Sequence, residues 1–237
     1  MSNQWLSFIS NEDLCSVLLE LQEKVQKKKA NKDKEFTKNA IDPFTALFQM
    51  VFLNINADQW KQFEQNRQLE KSLQNNIGLF HQKLISKLQG WENPKNKPGY
   101  DVVNHEQKII AEVKNKHNTL KGSDRSKTHH RLKQLVTDKG QTTKGYTAYL
   151  VQIIPLKKER YNIPFTTSDN SLGEKVPVHE SVRIIDGASF YELITGDPHA
   201  LRRIFETLPL ALQTIGVNVD DQKISRSKEY FALSIAD

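Results

Sequence analysis

Residues 100–119 read Tyr100-Asp-Val-Val-Asn-His-Glu-Gln-Lys-Ile-Ile-Ala-Glu-Val-Lys-Asn-Lys-His-Asn-Thr119. Two short β-prone runs, residues 100–104 and 108–114, flank Asn104-His105-Glu106, and turn formers between two such runs predict a hairpin. Side chains alternate along a strand, so Glu112 and Lys114 share one face, about 7 Å apart. Asp101 lies on the other strand of the same hairpin. Three charged groups therefore converge at one end of a ribbon whose remaining residues include Ile109, Ile110, Ala111 and Val113. A carboxylate in so apolar a run is costly to desolvate unless it is paired or holds a cation.

The pattern leaves two readings open. One is a buried Glu112–Lys114 ion pair with no chemistry. The other is a cation site, because two converging carboxylates repel each other and a hard divalent ion relieves the repulsion. Mg²⁺ is held by one or two carboxylates together with waters and substrate phosphate oxygens. Lys114 is then placed to orient the attacking water and to stabilise negative charge in the transition state. That combination describes a phosphodiesterase. The acid-x-Lys triplet is weak by itself and occurs three times: Glu106-Gln-Lys108, Glu112-Val-Lys114 and Asp221-Gln-Lys223. The middle copy alone has both an apolar strand around it and an Asp one strand earlier.

Charge is concentrated beside this hairpin. The 237 residues carry 34 Lys and Arg against 28 Asp and Glu, for a net charge of +6. Residues 108–133 hold eight basic and two acidic side chains, an excess equal to that of the whole chain. A basic stripe next to a phosphodiesterase candidate is suited to a phosphate backbone, although a solvated basic helix has the same composition. His129-His130 is no zinc motif, since adjacent positions face apart and the one cysteine, Cys15, completes no site. A single cysteine also excludes an intrachain disulfide. There is no Gly-x-Ser-x-Gly elbow and no glycine-rich phosphate loop. No run approaches about 18 consecutive apolar residues, and residues 1–10 lack the basic and apolar regions of a secretory leader. The expectation is a soluble cytoplasmic protein with no membrane segment.

Outward from the hairpin, helical and strand periods alternate. Ser10 with Asp13 forms a capping box before Val17, Leu18, Leu21 and Val25 at helical spacing. Asp42-Pro43 opens a second helix over 43–53, so apolar throughout that it is expected to be buried. A long helix runs from Asp58 to about Leu88, with Leu73, Ile77, Phe80, Leu84 and Leu88 as its apolar stripe. Gly78 in its interior costs about 1 kcal/mol against Ala and predicts a close approach by a backbone or ligand. A basic helix is expected over 123–137, a strand over 146–154, a long loop over 155–177, a strand over 182–185, and helices over 189–194 and 198–215.

Two sets of residues carry a resemblance. Asp101 with Glu112-Val113-Lys114 resembles the PD-(D/E)xK nuclease superfamily, with Tyr100 standing where the strict motif has Pro. Glu64-x-x-Arg67-Gln68-x-x-Lys71, Asn76-Ile77-Gly78-x-x-His81-Gln82, Gly90-Trp91, the stretch Ala111 to Thr119, and Asp186-Gly187-x-x-Phe190-Tyr191-x-x-Ile194-Thr195-Gly196 are similar to a group of bacterial type II restriction endonucleases associated with GGNCC or GGWCC palindromes. The likeness covers roughly residues 40–210.

The resemblance implies an α/β fold: a PD-(D/E)xK nuclease core with a small mixed β-sheet flanked by helices, and an N-terminal helical layer over 1–57 preceding a catalytic core over 58–237. It implies a Mg²⁺-dependent endonuclease that cuts double-stranded DNA at a short G/C-rich palindrome as a homodimer, partnered functionally by a cognate DNA methyltransferase. A two-fold site needs two active sites related by a two-fold axis. Asp101 and Glu112 would hold the metal, with Glu64 as a further acid and Glu70 as its rival, and Lys114 would assist the water. Lys116, His117 and Asn118 lie just past the catalytic strand. Arg125, Lys127, His130 and Arg131 are the candidates for guanine and phosphate contacts, and Arg67, Lys71 and His81 line a polar helix stripe suited to DNA or to a dimer contact. The alternatives are a non-specific or repair-type nuclease on the same core, and a basic DNA-binding module without catalysis.

Overall fold

The computed structural model describes residues 4–94, 99–169 and 173–236. The chain forms two compact units, one of residues Met1–Leu18 with His81–Asp237 and one of Leu19–Phe80. The sequence boundary expected at 57/58 falls inside the second unit.

The first unit is built on a mixed α/β sheet. Its strands, in chain order, are β1 (Trp91–Glu92), β2 (Val102–Asn104), β3 (Ile109–Lys116), β4 (Thr147–Ile154), β5 (Asn162–Pro164) and β8 (Val182–Asp186); β6 (Ser168–Asp169) and β7 (Glu174–Lys175) pair separately. The six-stranded sheet runs β1-β2-β3-β4-β8-β5. Strands β1, β2 and β3 are antiparallel, β3, β4 and β8 are parallel, and β5 closes the edge antiparallel to β8. The hairpin lies where the 100–119 stretch predicts it. Strand β4 is buried on both faces from Ala148 to Ile153, which is why it reads as an apolar run broken only at Gln152.

Helix α5 (Gly122–Thr137) covers one face of this sheet, where Leu132, Leu135 and Val136 pack with Ile110, Leu150, Ile184 and Phe165. Helix α6 (Gly187–Thr195) covers the other, where Phe190 meets Trp91 and Tyr149 edge-on or tilted at about 5.9 Å. The α6 start requires glycine. A Cβ at Gly187 would lie 2.5 Å from the Ile153 carbonyl oxygen. Helix α7 (Ala200–Thr214) follows, and α8 (Asp221–Ser234) is capped by Asp220, whose carboxylate accepts the Lys223 amide. The expected loop over 155–177 thus contains an edge strand of the main sheet.

The second unit is helical. Helix α1 (Asn11–Ala30) begins in the first unit, where Ser10 Oγ accepts the Asp13 amide at 3.0 Å and returns a hydrogen bond to its carboxylate. Helices α2 (Lys32–Lys38) and α3 (Pro43–Phe52) follow, and α4 (Ala57–Ile85) runs back into the first unit. Asp42 caps α3 by accepting the Phe44 and Thr45 amides. The expectation that α3 is buried is corrected. Its inward face is Ala46, Gln49 and Met50, with Gln49 accepting the Trp60 indole hydrogen at 2.9 Å. Phe44, Leu47, Phe48, Val51 and Phe52 point outward and are 52–78% exposed. A helix apolar all round does not say which side finds a partner within its own chain. The close approach expected at Gly78 is also absent, since a Cβ there would meet nothing within 4 Å. Among the described residues, no helix is long and apolar enough to cross a membrane.

Candidate active site

The hairpin register builds the site. Val102 pairs with Ala111 and Val103 with Ile110, and Asp101 immediately precedes β2, next to the Ala111–Val113 segment of β3. The Asp101 amide donates to the Ala111 carbonyl at 2.8 Å, and Asp101 Oδ2 accepts the Val113 amide at 2.7 Å. The carboxylate therefore takes over the ladder where the strand ends. Glu112 is 8% exposed. Lys114 Nζ lies 2.7 Å from its Oε1, and Arg131 Nη2, from α5, lies 3.2 Å from its Oε2.

The electrostatics follow from this crowding. Burial, and then the like charge of Glu112, push the Asp101 carboxyl up to about 6, against the Val113 amide, Lys114 and Arg131, which act to lower it. Two adjacent acids, one held above its ordinary range by desolvation and by its neighbour, fit a hard divalent cation, which supplies the missing positive charge. Among the described residues no group of three or more His, Cys, Asp or Glu side chains is assembled into a cation site. Among the described residues the pair stands without a third acid.

Beyond the carboxylates, the parallel registers set Lys114 beside Gln152 and Gln152 beside Asp186, one polar row across β3, β4 and β8. Gln152 is buried; its amide donates to the His117 carbonyl at 3.2 Å and accepts the Tyr161 hydroxyl hydrogen at 2.8 Å. Asp186 accepts the Tyr161 amide at 2.7 Å and the Ser189 amide at 2.9 Å. Burial and the nearby Asp186 push the Tyr161 phenol up to about 12, so it stays a hydrogen donor. A cavity of about 280 Å³ opens here, lined by Arg125, Gln152, Lys157 and Tyr161 among others. The sequence reading missed this row. Its only local trace is Gln152 interrupting an apolar strand and Asp186 ending another.

The expected DNA-contacting residues separate into groups. Lys116 and Asn118 are exposed at the end of β3, with His117 half-buried between them. Lys127 and His130 are exposed on α5. Arg125 is half-buried, its guanidinium 5.5 Å from the Phe165 ring centre. Arg131 is paired with Glu112, so it belongs to the carboxylate cluster. His81 departs from the expectation. It is 8% exposed, its Nδ1 shares a hydrogen bond with the Tyr191 hydroxyl at 2.9 Å, and burial lowers its pKa to about 4. The turn of α4 that carries it faces the core. Arg67 and Lys71 are exposed in the helical unit. Glu64, in the same unit, is gripped by Arg67 at 2.6 Å through two nitrogens and by Gln68 at 2.9 Å, and these bonds lower its pKa.

Comparison with known proteins adds to this geometry. The Eco47II restriction endonuclease family matches residues 6–216. The chain is 44% identical over 210 residues to the type II restriction enzyme Eco47II of Escherichia coli, covering 89% of this chain and 87% of that protein. It is 35% identical over 217 residues to the type II restriction enzyme Sau96I of Staphylococcus aureus, covering 90% of this chain and 81% of that protein.

Proposed function

The chain belongs to the Eco47II restriction endonuclease family, and from that premise we propose how its residues cut DNA. It is a type II site-specific deoxyribonuclease, and its substrate is DNA. Asp101 and Glu112 would hold a divalent cation, Mg²⁺, which when bound would polarise the scissile phosphoryl group and ease deprotonation of water. Lys114 leaves Glu112 to donate to the attacking water and to the developing charge on phosphorus. Arg131 keeps Glu112 oriented from α5. Water oxygen bonds to phosphorus and gives up a proton to bulk water, the P–O bond to the leaving nucleotide breaks, and the departing oxygen takes a proton from bulk water.

Lys116, His117 and Asn118 follow the catalytic strand and meet the duplex backbone, and Arg125, Lys127 and His130 extend the contact along α5. Phosphate neutralisation by these cations supplies most of the affinity. Guanine O6 and N7 are read by Arg or Lys in the major groove, as a GGNCC or GGWCC site requires. Two copies act on one palindrome as a homodimer, a methyltransferase of the same system protects the host site, and the enzyme works in the cytoplasm.

The observation that carries this reading is Asp101 bonded to the backbone on both sides of Glu112, with Lys114 2.7 Å from Glu112. Incubation with phage DNA and Mg²⁺, followed by sequencing of fragment ends, tests it. Discrete fragments ending within one palindrome support it, and a smear of random ends contradicts the site specificity.

A further inference from the structure

The outward face of α3 is not accounted for by the catalytic unit. Phe44, Leu47, Phe48, Val51 and Phe52 recur at spacings of three, one, three and one, a single stripe along the helix. Leu53 continues it, and the rings of Phe48 and Phe52 stack at 5.7 Å. The six are 71%, 54%, 52%, 62%, 78% and 54% exposed in chain order. At 150–250 Å² for each aromatic side chain, the three Phe alone present roughly 400 Å² of apolar surface, and Leu47, Val51 and Leu53 add to it. Monomeric proteins rarely expose contiguous apolar patches beyond a few hundred Å².

We infer that this face of α3 is the surface through which two copies of this chain associate. Three observations choose that occupant. Residues 43–55 contain no charged side chain, and a two-fold contact sets each residue of the patch against the same patch on the partner, so absence of charge removes like-charge repulsion. That matters in a chain of net charge +6. The exposed apolar area of the six side chains is a large share of the ~800 Å² per partner of a standard stable interface. Membrane-surface helices carry Lys and Arg on their polar face, and the inward side of α3 holds Ala46, Gln49 and Met50 instead. The inference rests on the nuclease reading only in that cutting both strands of a palindrome calls for a two-fold dimer.

Sedimentation velocity of the full chain, from about 0.1 to 50 μM, tests it beside Leu47→Glu/Val51→Glu. Both positions point outward, so the fold persists; circular dichroism and thermal melting verify this. A second variant, Leu233→Glu on α8, replaces an equally exposed Leu outside the patch, 74% exposed. The expected result is a wild-type dimer, an α3 variant whose dissociation constant rises at least about 100-fold, as loss of two hot-spot side chains gives, and an unaffected α8 variant. A wild type that stays monomeric overturns the inference, as does an α3 variant that remains dimeric or that loses thermal stability without changing mass. Monomeric wild type co-sedimenting with phosphatidylglycerol vesicles also overturns it. If the α3 variant stays dimeric while wild type yields discrete DNA fragments, the surface assignment alone fails. If it dissociates while wild type cuts no DNA, the nuclease reading alone fails.

Discussion

Asp101 brackets Glu112 from the neighbouring strand's start, its amide donating to the Ala111 carbonyl at 2.8 Å and its carboxylate oxygen accepting the Val113 amide at 2.7 Å, so two acids share one end of a ribbon whose neighbours are fully buried. Each acid is held by a different element: Asp101 by β3 backbone, Glu112 by Lys114 on its own strand and Arg131 on α5. This division keeps both carboxylates in place without a direct bond between them, and the charge they concentrate has measurable consequences.

The first concerns stability against pH. Unfolded, Asp101 titrates near its ordinary 3.8; folded, burial and Glu112 push it up to about 6. Between those values the folded state binds the extra proton, so stability falls as pH rises from about 4 to about 6, and the whole cost is present above 6. Asp101→Asn removes the titration and keeps an oxygen for the Val113 amide. With chelator present, urea unfolding should find Asp101→Asn more stable than wild type by about 1–3 kcal/mol at pH 7.5, from about 1.4 kcal/mol per pKa unit. The difference should vanish near pH 4.

Divalent cation should remove the same cost. At pH 7.5, Mg²⁺ bound to the folded state as proposed should raise the wild-type melting temperature, increasingly with concentration. Asp101→Asn should show a much smaller rise in a thermal melt run with and without Mg²⁺. An equal rise in both would place the ion elsewhere.

The buried His81–Tyr191 pair acts in the opposite direction. His81 titrates near 6.5 unfolded and about 4 folded, because burial disfavours its charged form. The unfolded chain therefore binds the extra proton between those values, and stability is lost as pH falls from about 6.5 to about 4, by about 2–3 kcal/mol in all. His81→Leu/Tyr191→Phe removes both polar partners together. Denaturation curves of that variant should lack this acid-side loss.

Gly78 offers a gain. It lies inside α4, and a Cβ there meets nothing within 4 Å. Gly78→Ala should stabilise the protein by about 0.5–1 kcal/mol through backbone entropy, read as a higher urea midpoint at unchanged slope.

Much of the site was legible because its geometry is local. Asp101 and Glu112 belong to one hairpin, and strand alternation alone sets Glu112 and Lys114 on one face. The Lys114–Gln152–Asp186 row was not legible, because it exists only through the registers of three strands far apart in the chain. Strand β5 escaped for the same reason: Asn162–Pro164 has no alternation of its own and is recruited by the free edge of β8. Helix α3 was recognisable as a helix from Asp42-Pro43, but its orientation was not, since small Ala46 turns inward and the large side chains outward. His81 was assigned to the wrong face because a stripe along a 29-residue helix does not reveal where its last turns become buried.

The most direct test of the central claim is plasmid cleavage in Mg²⁺ by Lys114→Ala beside wild type, with DNA affinity measured in parallel. Lys114 touches the proposed metal ligand Glu112 at 2.7 Å, whereas affinity comes mainly from phosphate contacts elsewhere. The account predicts discrete fragments from wild type, at least about 10³-fold slower cleavage by the variant, beyond the loss of a single oxyanion donor, and DNA binding within a few-fold. A Lys114→Ala enzyme that cuts near the wild-type rate would contradict it.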